Sequence, residues 1–171
     1  MSDDTNDDVG SRGAVEAAFA ALEAGALRRF ADWPAVDLHL RLPGVYTIWR
    51  EAQFMYVGMS WQDRVGSKGL YGRLDSHASG RRSGDQFCIY ICDRFIVPHL
   101  EPAQLAAVGA GTLSLDSMTR AFVREHLAFR ASHTRTGLEA RAIETAVRRS
   151  GLPSAGFPFI NPFARNVMAR R

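Results

Sequence analysis

Lysine is almost missing from this chain: Lys68 is the only one among 21 basic side chains, and every other is arginine. Long hydrophobic runs are missing as well. No stretch reaches the roughly 18 uninterrupted apolar residues of a membrane-spanning helix, which excludes that class of protein. Cysteine is scarce, with only Cys88 and Cys92, too few for the disulfide framework of a small secreted domain. No internal repeat and no low-complexity tract is present, so solenoid and array architectures are excluded. The first residues, Met1-Ser2-Asp3-Asp4-Thr5-Asn6-Asp7-Asp8, have neither the basic n-region nor the apolar h-region of a secretory signal, and a cytoplasmic location is the expectation.

What is present is a globular composition. Of 171 residues 46% are hydrophobic and 23% charged, enough for one core of ordinary size and too few for two. The formal net charge is +3. Setting aside Asp3, Asp4, Asp7 and Asp8 from the 18 acidic residues leaves 14 against 21 basic ones, so the rest of the chain carries +7. Arginine's planar fork suits phosphate recognition, and a basic surface of this kind fits a nucleic-acid partner.

The two cysteines lie in one apolar run, Phe87-Cys88-Ile89-Tyr90-Ile91-Cys92. Read as a strand, the run places residues four apart about 13 Å from each other on one face. Bridged α-carbons lie within about 7 Å, so two reduced thiols are expected. A zinc site with His99 would lack a fourth ligand and has the wrong spacing; buried thiols behave as small hydrophobes.

Val15 to Phe30 reads as an amphipathic helix, with Val15, Ala18, Phe19, Leu22, Ala26 and Phe30 near one face. Gly44 to Trp49 and Gln53 to Gly58 read as two strands of a hairpin around a short loop at Arg50-Glu51-Ala52. Residues 59–69, with Gly66, Lys68 and Gly69, form a loop, and Leu70 to Ser79 a short helix stopped by Gly80. Arg73 and His77 are i and i+4 on that helix and share a face. The run Gln86 to Asp93 reads as a third strand. Pro98 to Gly111 reads as a loop containing a short helix. Ser114 caps a helix to about Glu125, and residues 127–131 fit either a fourth strand or a continued helix. Leu138 to Arg149 is a better-defined helix, stopped by Gly151 and Pro153. Three divisions follow: an N-terminal extension over 1–41, a main domain over 42–165 and a basic tail over 166–171.

Two tripeptides on the hairpin carry the functional reading: Gly44-Val45-Tyr46 and Tyr56-Val57-Gly58. Behind them come Arg73 and His77, then Glu139 at the start of an apolar-periodic helix, then Asn161 beside Pro162. In that order these residues resemble the GIY-YIG nuclease family over roughly residues 42–162. The resemblance implies an α+β fold with a small antiparallel or mixed sheet of three to four strands, flanked by helices, here with an N-terminal helical extension. It implies a magnesium- or manganese-dependent endonuclease in which Tyr46 activates water, Arg73 neutralises phosphoryl oxygens and Glu139 holds the cation. Tyr56 and His77 complete the catalytic set, and Gly44 and Gly58 are its structural glycines.

Elementary chemistry supports part of this assignment. A free phenol has a pKa near 10, so Tyr46 needs a cation or a basic neighbour before it can act as a base. His77 is able to take or relay the proton, and Lys68 is a second group that favours the phenolate. Lys68, Arg81, Arg82 and Asn161 are the expected substrate-binding residues. Arg64 rivals Arg73 but has no histidine four residues on. Glu144 rivals Glu139, about 140° further round the helix by its 3.6-residue period; Leu138-Glu139 with Ile143 fits the family's helix better. DNA is the expected partner. With no attached recognition module in view, a restriction-type enzyme is expected, and cutting both strands would favour a homodimer on a palindromic target. The alternatives are a small repair or accessory nuclease and a non-catalytic nucleic-acid-binding domain of the same fold.

Overall fold

The computed structural model describes residues 5–34, 38–61 and 68–162. Arg64, Gly66 and the basic tail lie outside them. The fold is α+β: a four-stranded antiparallel sheet with helices on both faces. Its elements are α1 (Thr5–Ala24), β1 (Arg28–Arg29), β2 (Gly44–Arg50), β3 (Gln53–Ser60), α2 (Gly69–Ser79), α3 (Gln86–Ile91), α4 (Pro102–Gly109), α5 (Leu115–His126), β4 (Ala128–His133) and α6 (Gly137–Ser150). The strand order is β1-β4-β2-β3. Among the described residues no helix is long and apolar enough to cross a membrane.

The hairpin forms as its two strand-like runs predict. β2 and β3 pair antiparallel with Tyr46 opposite Gly58 and Ile48 opposite Tyr56, and the register shifts between Ile48 and Trp49. Arg50 pairs with Gln53, which leaves Glu51 and Ala52 as the turn, with Glu51 at φ 53°. β4 pairs along the other side of β2, so residues 128–133 are a strand and the helical alternative for that stretch is excluded. β2 is buried on both faces, as a central strand covered by two helical layers must be.

One layer packs Phe30, Trp33, Tyr46, Ile48, Leu70, Leu74, Phe87, Ile91, Val123 and Phe129 into a single cluster. The opposite layer packs Ala18, Leu22, Val45, Trp49, Val57, Ala140, Ile143 and Val147. Residues of the expected N-terminal extension therefore belong to both layers. Thr47 Oγ1 donates to Leu22 O at 2.7 Å, binding α1 to the central strand. The first helix is displaced from its expected limits: α1 ends at Ala24, and Arg28–Arg29 pairs with Phe129 and Ala128.

The third strand expected at Gln86–Asp93 is absent, because this segment is α3 followed by a π-turn over Cys92–Ile96. Asp85 caps it, accepting from Phe87 N and Cys88 N. The buried positions Phe87, Cys88, Ile91 and Cys92 follow the i, i+1, i+4, i+5 stripe of a helix. A short apolar run carries either period, and the cap decides. The strand-based separation of Cys88 and Cys92 falls with it, since they now sit one helical turn apart; both remain free thiols. α5 starts at its Ser114 cap, and Gly80 ends α2 in the left-handed region at φ 69°.

Candidate active site

The hairpin and α2 bring four of the expected residues together. Tyr46 and Tyr56 lie on neighbouring strands with ring centroids 6.4 Å apart. Arg73 and His77 project from α2 onto the same place. The Tyr46 hydroxyl is 2.7 Å from His77 Nε2 and also accepts from Arg73. His77 Nδ1 is 2.6 Å from Asp85 Oδ2.

Gly58 makes this convergence possible. A Cβ there would stand 2.3 Å from the Tyr46 hydroxyl oxygen and 2.5 Å from Cζ, so the phenol occupies the space a side chain would fill. Gly44 is constrained by backbone instead, with Ser132 O 2.3 Å from where its Cβ would be. Both expected structural glycines thus have a steric reason.

The two catalytic tyrosines expected from the sequence differ in exposure. Tyr46 is fully buried, whereas Tyr56 is partly exposed. Burial pushes the Tyr46 phenol well above its ordinary range, Tyr56 and Asp85 add to the rise, and Arg73 opposes it. Burial likewise raises Tyr56 to about 12, against the pull of Arg73 and Arg148 and with Asp85 and Glu144 reinforcing it. His77 is held below its ordinary value by burial, with Asp85 opposing; it is a neutral imidazole at neutral pH.

The acids on α6 separate clearly. Ala140, Ile143 and Val147 are its buried stripe, and Glu139 and Glu144 lie on opposite flanks of it. Glu144 faces Tyr56 closely enough to raise its phenol. It pairs with Arg148 at 3.6 Å, and burial raises its own carboxyl. Glu139 is drawn instead to the start of the helix: it accepts from Arg135 N at 3.0 Å and pairs with Arg135 Nε at 3.9 Å. It lines a separate surface cavity of about 530 Å³ with Val15, Leu138 and Ile143. A first-turn acid in such surroundings complements the helix macrodipole.

Asn161 is committed to the fold. Its Oδ1 accepts from Val57 N at 3.2 Å and its Nδ2 donates to Val57 O at 2.7 Å. Phe159 N and Ile160 N donate to Phe54 O and Met55 O, so this segment covers the open edge of β3 and the amide continues the ladder. Arg148 Nε donates to Asn161 O at 3.2 Å, linking the clamp to Glu144. Asn161→Ala should lower stability by about 1–3 kcal/mol, two hydrogen bonds being lost at a partly buried edge. Thermal melting measures this, and an unchanged midpoint would return the side chain to a substrate-binding role.

The basic residues are more dispersed. Lys68 is exposed immediately before α2. Arg82 is paired with Asp116 at 2.7 Å. Arg81 lines a surface cavity of about 470 Å³ with Asp75, Ser79, Arg120 and Arg124. In that cavity Arg120 Nε donates to Ser79 O and Arg124 Nε to Ala78 O, capping the carbonyl end of α2.

His77, Asp85 and Cys88 bring their ligand atoms within 4.8 Å of one another. Their donors are already engaged: both histidine nitrogens are bonded, and burial pushes the Cys88 thiol up. A thiol-containing set also suits soft metals rather than magnesium. Glu144, a hard oxygen donor whose charge is felt at Tyr56, suits a cation that keeps several waters and takes one or two carboxylates.

Asp85 and Glu144 are the two site groups that the sequence pattern did not select. Asp85 carried an N-cap signal, Ser83-Gly84-Asp85 before an apolar run, hidden by reading that run as a strand. Comparison with family models, curated proteins and solved structures returned no match for this chain.

Proposed function

We propose that this protein is a divalent-metal-dependent endonuclease of the GIY-YIG kind, acting on DNA in the cytoplasm, with Glu144 in place of Glu139 as the metal carboxylate. The observation that carries the reading is the convergence of Tyr46, Tyr56, Arg73 and His77 on one spot; of the two α6 acids, Glu144 is the one whose charge acts on Tyr56.

Hydrolysis of a phosphodiester adds water oxygen to phosphorus and releases a sugar oxygen, which takes up a proton. Magnesium or manganese held at Glu144 would supply charge neutralisation at the phosphate. Arg73 supplies a fixed positive charge for the oxygens that gain charge in the transition state. Its charge also opposes the rise of the Tyr46 phenol, so the same guanidinium favours the phenolate. Tyr46 then takes the water proton, with neutral His77 accepting the phenol's own proton. Tyr56 feels the charges of both Arg73 and Glu144 and packs beside Tyr46 and His77.

Cleavage of both strands fits a restriction-type homodimer, and a small repair or accessory nuclease uses the same chemistry. The enclosure of Tyr46 favours a second reading, a nucleic-acid-binding domain without catalysis. Incubating the purified protein with plasmid, with and without magnesium, distinguishes them. Metal-dependent cuts are expected, as discrete fragments for a sequence-specific enzyme. A mobility shift without cuts at any magnesium or manganese concentration would sink the nuclease reading and leave the binding one.

A further inference from the structure

We propose that Asp85 is a positioning residue: it holds His77 as the Nδ1–H tautomer and so presents the Nε2 lone pair to the Tyr46 hydroxyl. The two oxygens of this carboxylate have separate partners. Oδ1 accepts from the backbone N–H of Phe87 at 3.0 Å and of Cys88 at 3.4 Å. Oδ2 accepts from Ser76 Oγ at 2.8 Å and faces His77 Nδ1 at 2.6 Å. The first pair caps α3 and fixes the rotation of the carboxylate; the second is what remains for the imidazole.

An ionised carboxylate has no proton to give. Burial by itself would raise the Asp85 carboxyl, but hydrogen bonds from His77, Ser76 and the α3 backbone outweigh it and keep the group ionised. The proton in the 2.6 Å contact therefore belongs to Nδ1. In a neutral ring Nε2 is then unprotonated, and Tyr46 is the donor in its 2.7 Å bond. The side chains of His77 and Asp85 are 0% and 1% exposed, so bulk water does not compete for either position.

The catalytic consequence rests on the nuclease reading; the tautomer does not. When Tyr46 acts, its phenol proton passes to Nε2, the imidazolium forms against the Asp85 carboxylate, and the phenolate oxygen takes the proton of the attacking water. The resting state is restored when Tyr46 passes a proton on to the departing sugar oxygen or to solvent and takes the Nε2 proton back across the 2.7 Å bond. Asp85 never touches the substrate. The residue that starts α3 is thus the one that aims the histidine of α2.

Asp85→Asn tests the assignment with the fold preserved, because asparagine caps a helix as well as aspartate does. Its Oδ1 can keep the cap, and its amide N–H₂ then takes the place of Oδ2. That group donates to His77 Nδ1 and forces the proton onto Nε2, where it points at Tyr46 and blocks transfer. Nitrogen-15 NMR of the imidazole in the full chain should give an Nδ1–H ring in the parent and an Nε2–H ring in Asp85→Asn. Cleavage should fall by about 10²-fold or more, the usual contribution of a placed proton acceptor, with little change in melting. An Nε2–H ring in the parent overturns the proposal whatever the variant does, and so does a variant whose tautomer is unchanged. If the parent cuts no DNA, the nuclease reading fails while the NMR result still decides the role of Asp85.

Discussion

Glu144→Gln should reduce metal-dependent cleavage by about 10³-fold or more, while Glu139→Gln cleaves as the parent does. Glutamine keeps the shape of the side chain and removes the charge that a hard cation requires. Metal stabilisation of the transition state is worth several kcal/mol, and each ~1.4 kcal/mol is tenfold in rate. The fold should tolerate both changes. Arg148 keeps its bond to Asn161 O when Glu144 is neutralised, and the Glu139 carboxylate bonds a partly exposed helix start that glutamine also serves. DNA affinity without metal should hold or rise in Glu144→Gln, because a negative charge facing phosphate has gone. A plasmid-nicking time course with a parallel binding assay reads both quantities. A dead Glu139→Gln beside an active Glu144→Gln would move the metal to the first turn of α6. Normal cleavage by both variants would remove the carboxylate mechanism altogether.

Gly58→Ala should disable the site from a position with no chemistry of its own. The added methyl would fall 2.3 Å from the Tyr46 hydroxyl oxygen and 2.9 Å from Tyr56 Cε1, closer than non-bonded atoms approach. The ring of Tyr46 cannot fold away as a flexible chain would, since His77 and Arg73 hold its end. Overpacking of this kind costs about 1–3 kcal/mol. Displacement of the phenol separates it from His77, so cleavage should fall about as far as in Tyr46→Phe. Denaturant melts and nicking rates measure the two effects. In a Tyr46→Ala background the added methyl should cause much less destabilisation, a coupling that a double-mutant cycle isolates. Equal melting and equal cleavage in Gly58→Ala and the parent would mean that Tyr46 does not lie over Gly58. Gly44→Ala serves as a contrast, because its clash is with the backbone of β4 and it should weaken the whole sheet.

The local elements were legible to the degree that their signals are local. Two strand-like runs around the short polar loop at Arg50-Glu51-Ala52 specify the β2–β3 hairpin, and i, i+4 spacing specifies that Arg73 and His77 share a face of α2. The cap at Ser114 specifies where α5 begins. These elements agree with the α+β class that the family resemblance implies. By contrast, Phe87 to Cys92 satisfies either period, and its helical state depends on Asp85 bonding two backbone N–H groups that a strand would pair elsewhere. The flank of α6 that meets Tyr56 is likewise undetermined along the chain, because Glu139 and Glu144 border the same apolar stripe on either side. Only the packing of Ala140, Ile143 and Val147 onto the sheet decides that the charge of Glu144 acts on Tyr56 while Glu139 turns back to Arg135. Asn161 illustrates the same division. From the sequence it is expected to bind substrate, but its amide serves the edge of a strand about a hundred residues earlier in the chain, because β3 ends the sheet and its polar backbone needs a partner.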